Sequence, residues 1–236
     1  MVKILDCTTR DGGYKDNWEY SDEYISSHIE FLNANGVKYY EIGYRNYLET
    51  EGKGRFYRCM PDVTKPFVEL EKDLLIGVMT DVKRYNPDDF VRQSDDTIDF
   101  VRIAAHPDKV QNALEIAGDL FDKGYKVFVQ LMDVTNIDAD GYLYLYMWDR
   151  KNILESLYFA DSYSVLKPSE IAQYYNKFKI LGYKNISFHA HNNQKYALEN
   201  SLAAINLGAY SVDVTRDGVG RNGGNLDISQ LFENLK

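Results

Sequence analysis

The sequence has no apolar run near the roughly 20 residues needed to cross a bilayer, which excludes a helical membrane protein. Its N-terminus, MVKILDCTTRDGG, lacks the basic segment, apolar stretch and small-residue cleavage site of an export signal, so a cytoplasmic location is expected. Cysteine is scarce. Cys7 and Cys59 stand alone, without CxxC or Cys/His spacing, which argues against a disulfide framework or a structural zinc and leaves two free thiols. Positive charge is short as well: the net charge is -9, and the lysines and arginines are scattered rather than gathered into a stripe. Such a surface repels a phosphate backbone, so nucleic acid is not an expected partner.

What is present suits one compact unit. The 236 residues, 44% hydrophobic and 27% charged, can bury a substantial core and match one barrel better than two ordinary domains, so a single domain over 1–236 is expected. Tyrosine is abundant, at 20 residues, which fits amphipathic packing but points to no particular chemistry.

Short apolar strand candidates alternate with helix candidates along the chain, and most helices close on a glycine just before the next strand, the rhythm of parallel β/α units. Val2 to Asp6 reads as the first strand. Ser21 then offers an N-cap, Ile25, Ile29 and Leu32 form a helical stripe, and Gly36 ends it before a second strand, Val37 to Ile42. The unit recurs with Val110, Leu114, Ala117 and Phe121, then Gly124 and the strand Tyr125 to Leu131. It recurs again with Ile171, Tyr175 and Phe178, then Gly182 and Lys184 to Phe188. Leu198, Leu202 and Ile205 make the last stripe, closed by Gly208 before Tyr210 to Val214. With Leu74 to Val78, Ile98 to Ala104 and Leu157 to Ala160 the strands number eight, which predicts an α/β fold of the (β/α)₈ TIM-barrel type over a doubly wound open sheet. Periodicity is poor from Asn46 to Lys72 and from Asn136 to Glu155, where loops or irregular helices are expected. The run YLYLYMW from Tyr142 to Trp148 reads as a buried helix turn, a cover over the site, or a contact between copies in a homo-oligomer.

In such a barrel the reacting groups come from the C-terminal ends of strands and the loops after them. Polar residues there are Arg10, Asp11, Glu41, Arg102, His106, Asp161, Ser162, His189, His191, Asn222 and Asn225. His189 and His191 lie two apart in extended chain, so both side chains emerge on one face and reach a single ion. A carboxylate from elsewhere, with Asp11 the first candidate, completes two imidazoles and one oxygen and leaves coordination positions open, the pattern of a catalytic rather than a structural metal.

Four segments in order resemble the DRE-TIM metallolyases, the family of 4-hydroxy-2-oxovalerate aldolase, HMG-CoA lyase and the isopropylmalate and homocitrate synthases. They are DCTTRDGG at 6–13, YEIGY at 40–44, FHAHNN at 188–193 and GRNGGN at 220–225. FVRIAAHP at 100–107 and ADSYSVLKP at 160–168 look most like the aldolase branch, although Tyr163 and Ser164 stand where a Gly-containing turn is expected. The resemblance implies that Asp11, His189 and His191 bind a divalent ion (Mn, Mg, Co or Zn), that Arg10 stabilises an enolate oxygen, that Glu41 orients Arg10, and that Asn225 sits beside the metal and contacts substrate. It implies an aldolase or lyase that cleaves or forms a C-C bond of a small 2-oxo acid through a metal-stabilised enolate, with pyruvate as a product.

The aldolases place a histidine three residues after the signature aspartate. This chain has Tyr14 there, as a proton donor or as a base assisted by a nearby cation. The C-terminal extension of the longer aldolases, and the dehydrogenase coupling it serves, are not expected.

Each residue also has a plain reading. Arg10, Asp11 and Glu41 can form a barrel-mouth ion network, Asp161 and Ser162 can cap a turn or contact substrate, His106 before Pro107 can simply begin a helix, and Cys7 can be a packed side chain. Gly218 to Gly223 satisfies GxGxxG, but the chain leaves no room for the rest of a dinucleotide-binding unit. Backbone N–H groups near the start of the last helix can instead hold a carboxylate or phosphate. The alternatives to an aldolase are a Claisen-type acyltransferase or HMG-CoA-lyase-like enzyme, and an inactive barrel that binds a metabolite or protein.

Overall fold

A computed structural model describes residues 2–70, 72–221 and 223–235; Asn222 lies outside the described residues. Eight parallel strands close into a barrel in sequence order, β1 pairing with both β2 and β8. They are β1 (Lys3–Asp6), β2 (Tyr39–Tyr44), β3 (Leu75–Asp81), β4 (Phe100–Ala105), β5 (Lys126–Leu131), β6 (Leu154–Asp161), β7 (Ile186–Ala190) and β8 (Ser211–Val214). The helices are α1 (Thr8–Asp16), α2 (Asp22–Ala34), α3 (Pro61–Thr64), α4 (Val110–Asp122), α5 (Ala139–Met147), α6 (Pro168–Ile180), α7 (Ala197–Asn206) and α8 (Ile228–Asn234). The TIM-barrel expectation therefore holds, with two departures from strict alternation: α1 and α2 both lie between β1 and β2, and one connection has no α-helix. Among the described residues, β3 and β4 are joined by short 3-10 turns instead of an α-helix. No helix among the described residues is long and apolar enough to cross a membrane.

Local rules account for most elements. Ser21 caps α2 by accepting the Tyr24 N–H at 3.1 Å, and Ile25, Ile29 and Leu32 are fully buried. The four closing glycines, Gly36, Gly124, Gly182 and Gly208, all take the positive φ that ends a helix in the left-handed region.

Three readings need correction. Phe121 is 42% exposed, and Leu120 takes its place on the buried face of α4. Leu198, Leu202 and Ile205 are only partly buried, because α7 approaches the barrel through the smaller Ala197, Ser201 and Ala204, with Asn200 donating to Leu166 O at 2.9 Å. The YLYLYMW run is not a buried turn: it lies in α5 with Leu145 buried, but Leu143, Tyr144, Tyr146 and Met147 are exposed.

The core has two parts. A large apolar layer separates barrel from helices, while Leu5, Cys7, Tyr39, Phe100, Phe128 and Tyr158 fill the cylinder itself. Edge-to-face contacts between Tyr39 and Phe100, Phe100 and Phe128, and Phe128 and Tyr158 make an aromatic plug. The Arg102 guanidinium lies 4.8 Å from the Tyr158 ring, so polar groups at the C-terminal mouth rest on a packed floor.

Candidate active site

Arg10 and Asp11 sit in α1, a helix where the sequence reading had a loop. Two glycines within TTRDGGYKD disfavour helix by about 1 kcal/mol each, yet tertiary contacts override that preference. Asp6 accepts the Thr8 N–H at 2.9 Å, the Trp18 indole donates to Arg10 O at 3.0 Å, and the Trp18 ring lies where a side chain on Gly13 would have to go. Asn17 ends the helix in the left-handed region. The short helix turns Arg10 and Asp11, both buried, into the barrel mouth.

Arg10 Nε donates to Glu41 Oε1 at 2.5 Å and Nη1 to Asp11 Oδ1 at 2.7 Å. Glu41 in turn accepts from Arg102 Nε at 2.7 Å and Nη2 at 2.6 Å, and Arg102 Nη1 donates to Asp213 Oδ2 at 2.5 Å. The ion network of the plain reading thus exists. It does not use up its members: Arg10 Nη2 is buried and has no hydrogen-bond partner among the described residues. Burial works against the Arg10 charge, but Asp11 and Glu41 outweigh it and raise its pKa further.

His189 and His191 do project to the same place, with their Nε2 atoms 3.4 Å apart. Tetrahedral imidazole ligands about 2.0 to 2.1 Å from an ion are separated by a similar distance. The β7–β8 register pairs Phe188 with Val212, which brings His189 beside Asp213, and the Asp213 carboxylate takes the Nδ1–H of His189 at 2.7 Å. That bond fixes the tautomer and leaves Nε2 as the ligand atom. Burial, reinforced by the His189 imidazole, lowers the pKa of His191 to about 3, which keeps it neutral as a ligand must be. Burial pushes the Asp11 carboxyl up, but Arg10, the imidazoles and Arg221 hold it well below the ordinary carboxylate range. One ligand atom from each of Asp11, His189 and His191 lies within 4.8 Å of the others, so these residues fit a divalent ion.

Cys7, His189 and Asp213 form a second such group. It fits an ion poorly, because His189 Nδ1 is committed to Asp213 and burial raises the Cys7 thiol pKa well above its usual value. Cys7 is a packed side chain, as its plain reading held.

Asn225 donates to Asp11 Oδ2 at 2.6 Å and to Val219 O at 2.9 Å, and its own Oδ1 is buried without a partner. Gly220, at φ 150, is required here: a Cβ would stand 2.1 Å from Asn225 Nδ2 and 2.7 Å from Asp11 Oδ2. At the start of α8, one of the N–H groups considered for an anion is already taken: Asp227 caps the helix and accepts the Ser229 N–H at 3.0 Å.

Two cavities open on these residues. One of about 190 Å³ is lined by His106, Met132, Asp133, Ser162, Tyr163, His191 and Arg221. Another of about 90 Å³ includes Arg10, Tyr14, Tyr44, Gln130 and Arg221, and shares His106. Ser162 Oγ accepts the Asp133 N–H at 2.9 Å and lines the larger cavity, whereas Asp161 caps the following turn through the N–H groups of Val165 and Leu166. Tyr14 is 45% exposed, its hydroxyl 3.1 Å from that of Tyr44.

Sequence reasoning gave no role to Asp213, Arg102 or Arg221; His106 stands at the start of a helical turn, as its plain reading held, and also lines both cavities. A lone acid inside the buried strand SVDV was a usable signal for Asp213.

The HMGL-like family model matches residues 84–236, the larger part of the chain. The chain belongs to the HMGL-like family. Over 234 residues it is 25% identical to an oxaloacetate decarboxylase of Mycobacterium tuberculosis, covering 99% of this chain and 69% of that protein. It is 23% identical over 258 residues to a 4-hydroxy-2-oxovalerate aldolase of Pelotomaculum thermopropionicum, 100% of this chain and 70% of that one. A solved N-terminal domain of a candidate aldolase from Bacteroides vulgatus has a TM-score of 0.90 at 28% identity, covering 99% of this chain and 79% of that one. This HMGL-like chain thus keeps over its whole length a likeness first visible in four short segments.

Proposed function

We propose that this HMGL-like protein is a divalent-metal-dependent carbon-carbon lyase acting on a small 2-oxo acid, in the manner of the aldolases it resembles. The observation that carries the reading is the convergence of Asp11, His189 and His191 beside a buried, unpartnered Arg10 Nη2. An ion held by those three residues would supply Lewis-acid stabilisation for charge developing on the substrate's oxygens.

The chain's own groups do the rest. Arg10 Nη2 is a fixed donor for the oxyanion of an enolate, held in place by Glu41, and such a donor contributes about 10² to 10³ in rate. Asp213 orients His189, and Asp11 stays ionised beside Arg10. Asn225 steadies Asp11 and offers its free Oδ1 to the site, and Ser162 contacts substrate from the cavity wall. Tyr14, hydrogen-bonded to Tyr44, exchanges the proton of the hydroxyl at the cleaved bond.

Two relatives differ in the bond they break, as decarboxylase and aldolase, and both reactions pass through an enolate of a 2-oxo acid. The test is pyruvate release from 4-hydroxy-2-oxo acids by manganese-supplemented protein. The reading expects turnover that a chelator abolishes and manganese restores. Inert protein under the same conditions overturns it in favour of a binding barrel.

A further inference from the structure

We propose that Arg221 receives a second carboxylate of the substrate, so that the site takes a dicarboxylic 2-oxo acid in preference to one with an apolar tail. The inference rests on the reading of the site as one for 2-oxo acids and adds what lies beyond the reacting end.

Of the three arginines around the candidate metal position Arg221 is held most loosely, 3.5 Å from Asp11 Oδ1 against 2.5 to 2.7 Å for the pairs of Arg10 and Arg102. Arg10 and Arg102 face Glu41 and Asp213 in the buried network, and Asp11 is shared between Arg10, Asn225 and the candidate metal position. Arg221 Nε stands 3.5 Å from Asp11 Oδ1, a long ion pair, and is buried with no hydrogen-bond partner among the described residues. The guanidinium carbon lies 4.2 Å from the centre of the Tyr14 ring, which holds the plane of the fork in place.

The Arg221 side chain is 37% exposed while that of Asp11 is fully buried, so the arginine reaches from the metal position outward to the mouth. It also lines both cavities. A substrate whose 2-oxo acid end meets Arg10 and the metal ligands would extend its tail past this cation.

Beyond this loose pair with Asp11, the neighbouring charges are engaged elsewhere. Asp133, in the wall of the larger cavity, accepts from its own loop, Thr135 Oγ1 at 3.2 Å and Asn136 Nδ2 at 2.8 Å. Asp81, in the wall of the smaller one, is paired with Arg84 and accepts the Lys83 N–H at 2.9 Å. A planar guanidinium with free donors is the group that binds a carboxylate at two points.

The experiment is calorimetric binding to manganese-supplemented protein of two non-cleavable probes matched in length, 2-oxoglutarate and 2-oxopentanoate, which differ in a terminal carboxylate against a methyl. Wild type should bind 2-oxoglutarate about 10- to 100-fold more tightly, the range for charge-assisted hydrogen bonds. Arg221→Gln should erase that preference, read as the ratio of the two Kd values because loss of the Asp11 contact acts on both probes alike, and Arg221→Lys, which keeps the charge without the fork, should retain part of it. Equal binding of both probes by wild type, or equal weakening of both by Arg221→Gln, overturns the proposal and assigns Arg221 to the reacting end. If neither probe binds the wild type, the 2-oxo acid reading itself fails and takes this inference with it.

Discussion

Replacing Asp213 with asparagine keeps the shape of the side chain and removes its charge. Asp213 Oδ2 accepts from both Arg102 Nη1 at 2.5 Å and His189 Nδ1 at 2.7 Å, while Oδ1 is buried with no partner. An amide can put its oxygen where Oδ2 was and its NH₂ where Oδ1 was, so the His189 tautomer survives and the anion does not.

Two magnitudes follow. Breaking a buried ion pair costs about 3 to 5 kcal/mol. Arg102 keeps its two bonds to Glu41, at 2.7 and 2.6 Å, so the lower end applies here. About 3 kcal/mol corresponds to a fall in Tm of about 6 to 12 °C for a chain of this size. Loss of the charged partner behind a histidine ligand weakens metal affinity by about 10- to 100-fold, or about 1.4 to 2.8 kcal/mol. The stability loss is the larger, so affinity should be measured by manganese titration at 25 °C, where the variant is still folded, and Tm by calorimetry on metal-free protein. A variant that melts within about 2 °C of wild type and binds manganese within twofold would refute the role given to Asp213.

Further outcomes are expected. Arg10→Ala should keep stoichiometric metal and lose about 10² to 10³ in kcat, read by pyruvate release; unchanged turnover would remove Arg10 from the chemistry. Tyr14→Phe should lower kcat by about 10² or more with unchanged metal affinity, and full activity would transfer the proton step to another group such as His106. Stability should fall in acid through Asp96. Burial raises its carboxyl, but the two hydrogen bonds from Arg45, at 2.5 and 3.2 Å, bring it below the ordinary value. The unfolded chain then binds more protons below about pH 4, so the stabilisation is complete above that pH and is lost as pH falls through the folded-state pKa. Denaturant melts of Asp96→Asn should show a flatter acid limb than wild type between about pH 5 and 3, and identical limbs would contradict the assignment.

Much of the fold was legible because closing glycines and apolar stripes are local signals, and Gly36, Gly124, Gly182 and Gly208 each set a helix end that tertiary contacts left alone. His189 and His191 were legible for the same reason: alternation along one strand fixes their common face without knowledge of the rest. What failed depended on partners distant in sequence. Helix α1 is held by Trp18 and Asp6 against the preference of its glycines, so no local rule predicts it. Phe121 and Leu120 are neighbours on a helix, and only the packing of α4 decides which one is buried. Asp213 is separated from Arg102 by 111 residues, and its value lies in that pairing and in the one with His189. The apolar run in α5 stayed open between a buried turn and an exposed surface because composition cannot say which face of a tyrosine-rich helix meets the barrel.

Metal content is the direct test of the account. Protein saturated with manganese, dialysed and assayed by elemental analysis should hold one ion per chain, and His189→Ala should hold none while remaining folded. Wild-type protein that retains no manganese, magnesium, cobalt or zinc after such loading, or a His189→Ala variant that retains as much as wild type, would contradict it.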